Sequence, residues 1–154
     1  PNWPPCAPPG SPGQIYQLRS AYSAGLTLNT DRPPDEWMRK SLEEFREVRP
    51  YFYGDFYALT PHDWTHMDTY TIWQLDRPDL KSGIVLVLRR PESLYSGLVL
   101  RHLHGIDPTA KYQVEIRSGL DKGPVKQMSG LELTHLQVTI PDKPGSVLIF
   151  YKHL

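Results

Sequence analysis

The densest group of side chains able to do chemistry is His62-Asp63-Trp64-Thr65-His66-Met67-Asp68. His-x3-His is an interval that zinc sites use, provided both imidazoles share one face of a helix. Here Pro61 and Asp63 favour only a short turn, and the sequence places no third strong ligand beside them. No metal site is expected. His102 and His104 lie two apart in a strand-like run and would share a face, as an ordinary exposed or satisfied pair. Cys6 is the only cysteine, which excludes an internal disulfide, and nothing basic flanks it to stabilise a thiolate. No serine sits in a Gly-x-Ser-x-Gly elbow and no Gly-rich phosphate loop is present. The acidic residues are spread through turns and along one helix, so none is nominated as an acid–base pair. The chain is therefore read with no catalytic residue, no metal and no cofactor.

Residues 51–57 contain Tyr51, Phe52, Tyr53, Phe56 and Tyr57. Aromatic faces at that density stack on sugars or bases. Consecutive aromatics point in different directions, however, and cannot make one flat shelf, so their expected work is packing. Lys+Arg and Asp+Glu are equal at 17 each. A nucleic-acid partner would call for a basic excess that is missing. No apolar run approaches the roughly 20 residues that span a bilayer, and no apolar leader opens the chain. A soluble protein without a membrane partner is expected, with no address written in it. The first residue is Pro1 and not Met, so the N-terminus is read as the product of processing or truncation.

The elements that must carry these residues fall into two regimes. Residues 1–16 are Pro-rich and read as irregular; six of the sixteen prolines lie within 1–13. Residues 17–50 read as one βα unit. Its strand is Ala24–Asn29, and its helix, about 34–48, sets Trp37, Met38, Leu42, Phe45 and Val48 on one apolar stripe. Asp35 and Glu36 suit the positive end of that helix. Arg39–Glu43 and Lys40–Glu44 are i,i+4 partners expected on its wet side, and Pro50 ends it. Residues 51–68 form an aromatic connector. From 69 the period changes to two, with runs at Tyr70–Leu75, Ile84–Arg89, Lys111–Arg117, Thr134–Ile140 and Ser146–Lys152. The second run is almost continuously apolar, as a strand covered on both faces would be. Short strands with turns and no helices between them predict an antiparallel β-sandwich over 69–154, and the chain as a whole is mainly β.

Four stretches, RPYFYGDFYALTP (49–61), TIWQLDRPDLKSGIVLVLRRPES (71–93), GIDPTAKYQV (105–114) and SGLELTHLQVTIPDKPGSVLIFYK (129–152), together resemble the C-terminal part of family 36 glycoside hydrolases, the α-galactosidase type. The resemblance spans about residues 17–154 and keeps the family's motif order and intervals. It implies that Ala24–Asn29 is the last strand of a (β/α)8 barrel, that 34–48 is the last barrel helix, and that 69–154 is the sandwich following it. Trp37, Leu42 and Phe45 would then pack against a catalytic barrel that is the chain's main partner. The family's two catalytic aspartates belong to earlier barrel strands, and neither of their motifs occurs here. Barrel sites lie at the C-terminal ends of the strands, so Arg19, Asn29 and Asp31 are the residues expected to line the sugar pocket. At Asn29-Thr30-Asp31 the chain departs from the Trp-Asp-like ending common in the family, and near His135 from a glycine common in the final hairpin.

The resemblance implies a non-catalytic portion of a retaining α-galactosidase-like enzyme, supporting the barrel and homo-oligomer contacts and meeting a galactoside only through the parent. The alternative is an independent carbohydrate-binding module that uses Tyr70, Trp73 or Tyr95. Coplanar, exposed aromatics would favour the module. In the barrel reading, residues 17–50 are expected to be the less stable part of the chain, because their neighbours are elsewhere.

Overall fold

The computed structural model describes residues 8, 10–22, 35–61 and 68–154. Two helices lead in, α1 over Pro12–Ser20 and α2 over Glu36–Val48, the second continued by a 3₁₀ turn over Arg49–Tyr53. The strands are β1 Asp55–Ala58, β2 Tyr70–Arg77, β3 Ser82–Arg89, β4 Gly97–Val99, β5 Lys111–Arg117, β6 Val125–Ser129, β7 Gln137–Thr139 and β8 Gly145–His153. A one-turn helix, α3, occupies Gly130–Leu133.

Six strands form one antiparallel sheet in the order β1-β2-β3-β8-β5-β6, and β4 pairs with β7 in a second, two-stranded sheet. The mainly β, antiparallel sandwich expected from the sequence is the fold observed. One face of the large sheet turns Val85, Val87, Val114, Val147 and Ile149 toward Leu98 and Val138 of the small sheet and toward Leu133 of α3. The other face turns Ile84, Leu86, Leu88 and Leu148 toward Tyr22 and Val48 on the helical side. Every residue of β3 is buried, which is why its sequence is apolar without alternation.

The helical lead-in differs from expectation in three ways. First, α1 begins inside the segment read as irregular. Ser11 caps it, its hydroxyl accepting from the Gln14 N–H, and Pro12 takes the first turn, where a missing N–H costs nothing. Second, Glu44 is not on the wet side. It is fully buried, and Lys40 pairs instead with Glu36 and Asp121. The buried face of α2 is therefore Ser41, Glu44 and Val48, flanked by Phe45, while Trp37, Met38 and Leu42 are only half-buried. Third, the lead-in docks on the sheet of its own chain rather than standing without neighbours. Arg19 on α1 forks onto Glu44 through Nε (2.9 Å) and Nη2 (2.7 Å). Its remaining N–H groups reach the carbonyls of Arg117, Ser146 and Gly119 and the Ser146 hydroxyl. Asp35 caps α2, its carboxylate accepting from the Met38 N–H. The stretch read as a connector also contributes β1, the edge strand beside β2. The expected strand Ala24–Asn29 lies outside the described residues.

Candidate functional site

An apolar groove of about 550 Å³ opens on the helical side of the large sheet. Its floor is Val48, Ile84, Leu86 and Leu148, all buried. Tyr22, Phe45, Trp73 and Leu75 form the walls, and Arg49, Phe52, Tyr53 and Phe56 the rim. The rings touch in series: Tyr22 to Phe45 at 5.5 Å, Phe45 to Phe52 at 6.2 Å, and Phe56 to Trp73 at 6.2 Å between centroids. Gly54 makes this possible. A Cβ there would stand 2.0 Å from the Asp76 carbonyl oxygen, so only glycine lets the turn run this close to β2 and carry Phe52 and Tyr53 to the rim. Arg77 ties down the same turn by donating to the Pro50 carbonyl. The rim stays open: Phe52 is 36%, Phe56 55% and Tyr53 76% exposed.

Among the described residues two carboxylates are buried, and they serve different faces. Glu44 accepts from Arg19 and, at 2.8 Å, from the Tyr22 hydroxyl, whose own ionisation is pushed up chiefly by burial and then by the Glu44 charge. Asp76 lies on the opposite side of the sheet in one cross-strand row with Gly83 and Tyr151. Because Gly83 has no side chain, the Tyr151 ring crosses β3 and donates to Asp76 Oδ1 at 2.6 Å. The hydroxyl also accepts from Gln74 Nε2, which donates in addition to the His104 carbonyl. Burial is the largest influence on Asp76 and raises its pKa, partly offset by the Tyr151 hydrogen bond. Two carboxylates that flank one glycosidic bond must approach within about 5–10 Å across an open cleft. Glu44 and Asp76 are separated by the sheet itself and are both committed to internal partners.

The structure places the other candidates plainly. Arg19 has no exposed side-chain surface and spends its donors inside the chain. Asn29 and Asp31 lie outside the described residues, as do His62, Asp63 and His66. Among the described residues no three His, Cys, Asp or Glu side chains gather closely enough to hold a metal. His102 and His104 sit in a loop rather than a strand, and the His104 ring stacks on Tyr57 at 4.0 Å and 5°. Of the proposed sugar platform, Tyr70 packs with the core between the sheets while Trp73 packs on the helical side. They leave β2 in opposite directions, and Tyr95 stands apart in a loop, where its carbonyl accepts from the Tyr70 hydroxyl. The groove escaped sequence reading because its floor, walls and rim come from five separated stretches. The aromatic run 51–57 was its one visible signal.

No family model and no curated protein matches the chain. Solved structures do. The chain is similar to the α-galactosidase of Lactobacillus brevis with 18% identity and a TM-score of 0.57. It is similar to two Geobacillus stearothermophilus α-galactosidases of glycoside hydrolase family 36, AgaA in complex with raffinose (22%, 0.55) and AgaB (22%, 0.54). Each superposition covers 81% of this chain and 17% of the other. The chain thus has the fold of a segment of α-galactosidases and spans about a sixth of their length, in keeping with the C-terminal region its motifs resemble. No helix among the described residues is long and apolar enough to cross a membrane.

Proposed function

We propose that this chain is the non-catalytic C-terminal portion of an α-galactosidase-like glycoside hydrolase and stabilises the catalytic barrel by packing on it. The observation that carries the reading is the superposition on a 17% segment of such enzymes, joined to four motifs in the family's order between residues 49 and 152. The nucleophile and acid/base carboxylates, about 5–5.5 Å apart in a retaining enzyme, belong to the larger part of the polypeptide. Asn29 and Asp31 are assigned to the edge of its sugar pocket. Arg19, with its donors bound internally, has none to offer there. An independent sugar-binding module is disfavoured because Tyr70 and Trp73 diverge across the sheet.

A chromogenic α-galactoside tests the reading. The complete polypeptide should hydrolyse it, and this chain alone should do no better than a heat-treated control. Clear turnover by the chain alone, or none by the complete polypeptide, would overturn the assignment.

A further inference from the structure

We infer that the aromatic groove between the 3₁₀ turn and β2 seats an apolar segment of the catalytic portion of the same polypeptide. This rests on the reading above and names the surface through which the sandwich would act. The groove floor is continuous with a core already in use: Val48, Ile84, Leu86 and Leu148 pack under the helical lead-in and also line the open part. Among the described residues, the cover over β3 is complete, whereas Trp73 and Leu75 of β2 stay half-buried beside the exposed rings of Phe52, Tyr53 and Phe56. A sheet face this apolar is completed by another apolar layer.

The chemistry of the lining selects the occupant. Phe52, Tyr53, Phe56 and Trp73 are of the types that anchor protein interfaces, and Arg49 is the one charged residue among the described residues lining the groove. A sugar needs several donors and acceptors along the walls, yet the Tyr22 hydroxyl is already given to Glu44, the floor is hydrocarbon, and the remaining polar side-chain groups of the lining are the Trp73 indole N–H and, at the rim, Arg49 and the Tyr53 hydroxyl. A phosphate backbone or a charged peptide would leave its charges unmatched. What fits is an apolar protein segment with one carbonyl or carboxylate for Arg49. The matched α-galactosidases supply the source, since about five-sixths of each lies outside the superposed region. Tethering on one polypeptide raises the effective concentration, so a groove of this size suffices without high intrinsic affinity. Access is open as well, because β1 is the edge of the sheet and no further strand of the sheet need be displaced.

Hydroxyl-radical footprinting of the complete polypeptide against this chain alone reads the groove without substrate. Labelling of Tyr53, Phe56 and Trp73 should fall several-fold in the complete polypeptide, while Tyr95, exposed in a distant loop, should label equally in both. Tyr53→Asp supplies a second measurement. The exposed ring tolerates the change, so the chain alone should keep its melting temperature, whereas in the complete polypeptide a single unfolding transition should split in two. Equal labelling of the groove in both proteins overturns the inference. So does protection that grows with concentration in the chain alone, which assigns the groove to a second copy. Failure of the complete polypeptide to cleave any α-galactoside sinks the enzymatic reading while leaving the footprint to report on docking.

Discussion

Replacing Glu44 with Gln tests whether the helical lead-in is part of the folded unit. The native carboxylate accepts three hydrogen bonds, from Arg19 Nε at 2.9 Å, Arg19 Nη2 at 2.7 Å and the Tyr22 hydroxyl at 2.8 Å. Both partners of the ion pair have no exposed side-chain surface. In Glu44→Gln the carboxylate's second acceptor oxygen becomes a donor, and the Arg19 guanidinium stays buried with only carbonyls and one hydroxyl around it. Removing one partner from such a pair costs about 3–5 kcal/mol, because the survivor is an uncompensated buried charge. Against a domain stability of about 5–15 kcal/mol this is a large fraction. At roughly 2–4 °C per kcal/mol for a chain of this size, the melting temperature should fall on the order of 10 °C. Thermal and urea unfolding followed by far-ultraviolet circular dichroism measures it. The double variant Arg19→Met/Glu44→Leu should recover much of the loss, since hydrocarbon replaces both charges. A Glu44→Gln variant within about 1 kcal/mol of the parent, the worth of a solvated surface pair, would refute the docking described here. Fast amide exchange across 36–48 with slow exchange in β3 would refute it equally.

Asp76 sets a pH dependence of defined sign. Burial holds its folded pKa above the ordinary carboxylate value, so the folded state keeps the proton to higher pH than the unfolded chain does, and stability is lost as pH rises from about 4 through the folded value. The stability of the parent relative to Asp76→Asn should therefore decline over that interval, and a difference that stays flat from about pH 3 to 7 speaks against it. Gly83→Ala would put a methyl 2.1 Å from the Tyr151 hydroxyl and 2.8 Å from the Leu75 carbonyl oxygen, and should cost about 1–3 kcal/mol or more in chemical denaturation. The same change in a Tyr151→Ala background, which removes the ring as well as the hydroxyl, should cost less; equal costs would deny the crossing of Tyr151 over Gly83. A chelator should leave the melting temperature unchanged, whereas a drop of several degrees would place a structural ion at His62 and His66.

What was legible in the sequence is what local pattern controls. Lys111–Arg117 was read at its observed bounds, and the runs at 70–75, 84–89 and 146–152 sit inside β2, β3 and β8. Alternation assigned Val147, Ile149 and Tyr151 to one face and Leu148 and Phe150 to the other, because side chains on a strand obey a period of two whatever lies opposite. The apolar continuity of β3 foretold its burial on both faces. The short strands β1, β4 and β6 went unread, since three to five residues carry too few repeats to show a period. The tertiary structure decided everything that depends on a distant partner. Glu44 reads as one more solvated helix charge until Arg19, 25 positions earlier, arrives beneath it. Arg19 likewise reads as a free donor until Gly119 and Ser146 close around it. The groove has no sequence signature beyond the aromatics at 51–57, because its floor is set by β3 and β8 pairing across more than sixty residues. Periodicity records which residues leave water. Which partner each of them meets is settled only by strand order and helix docking.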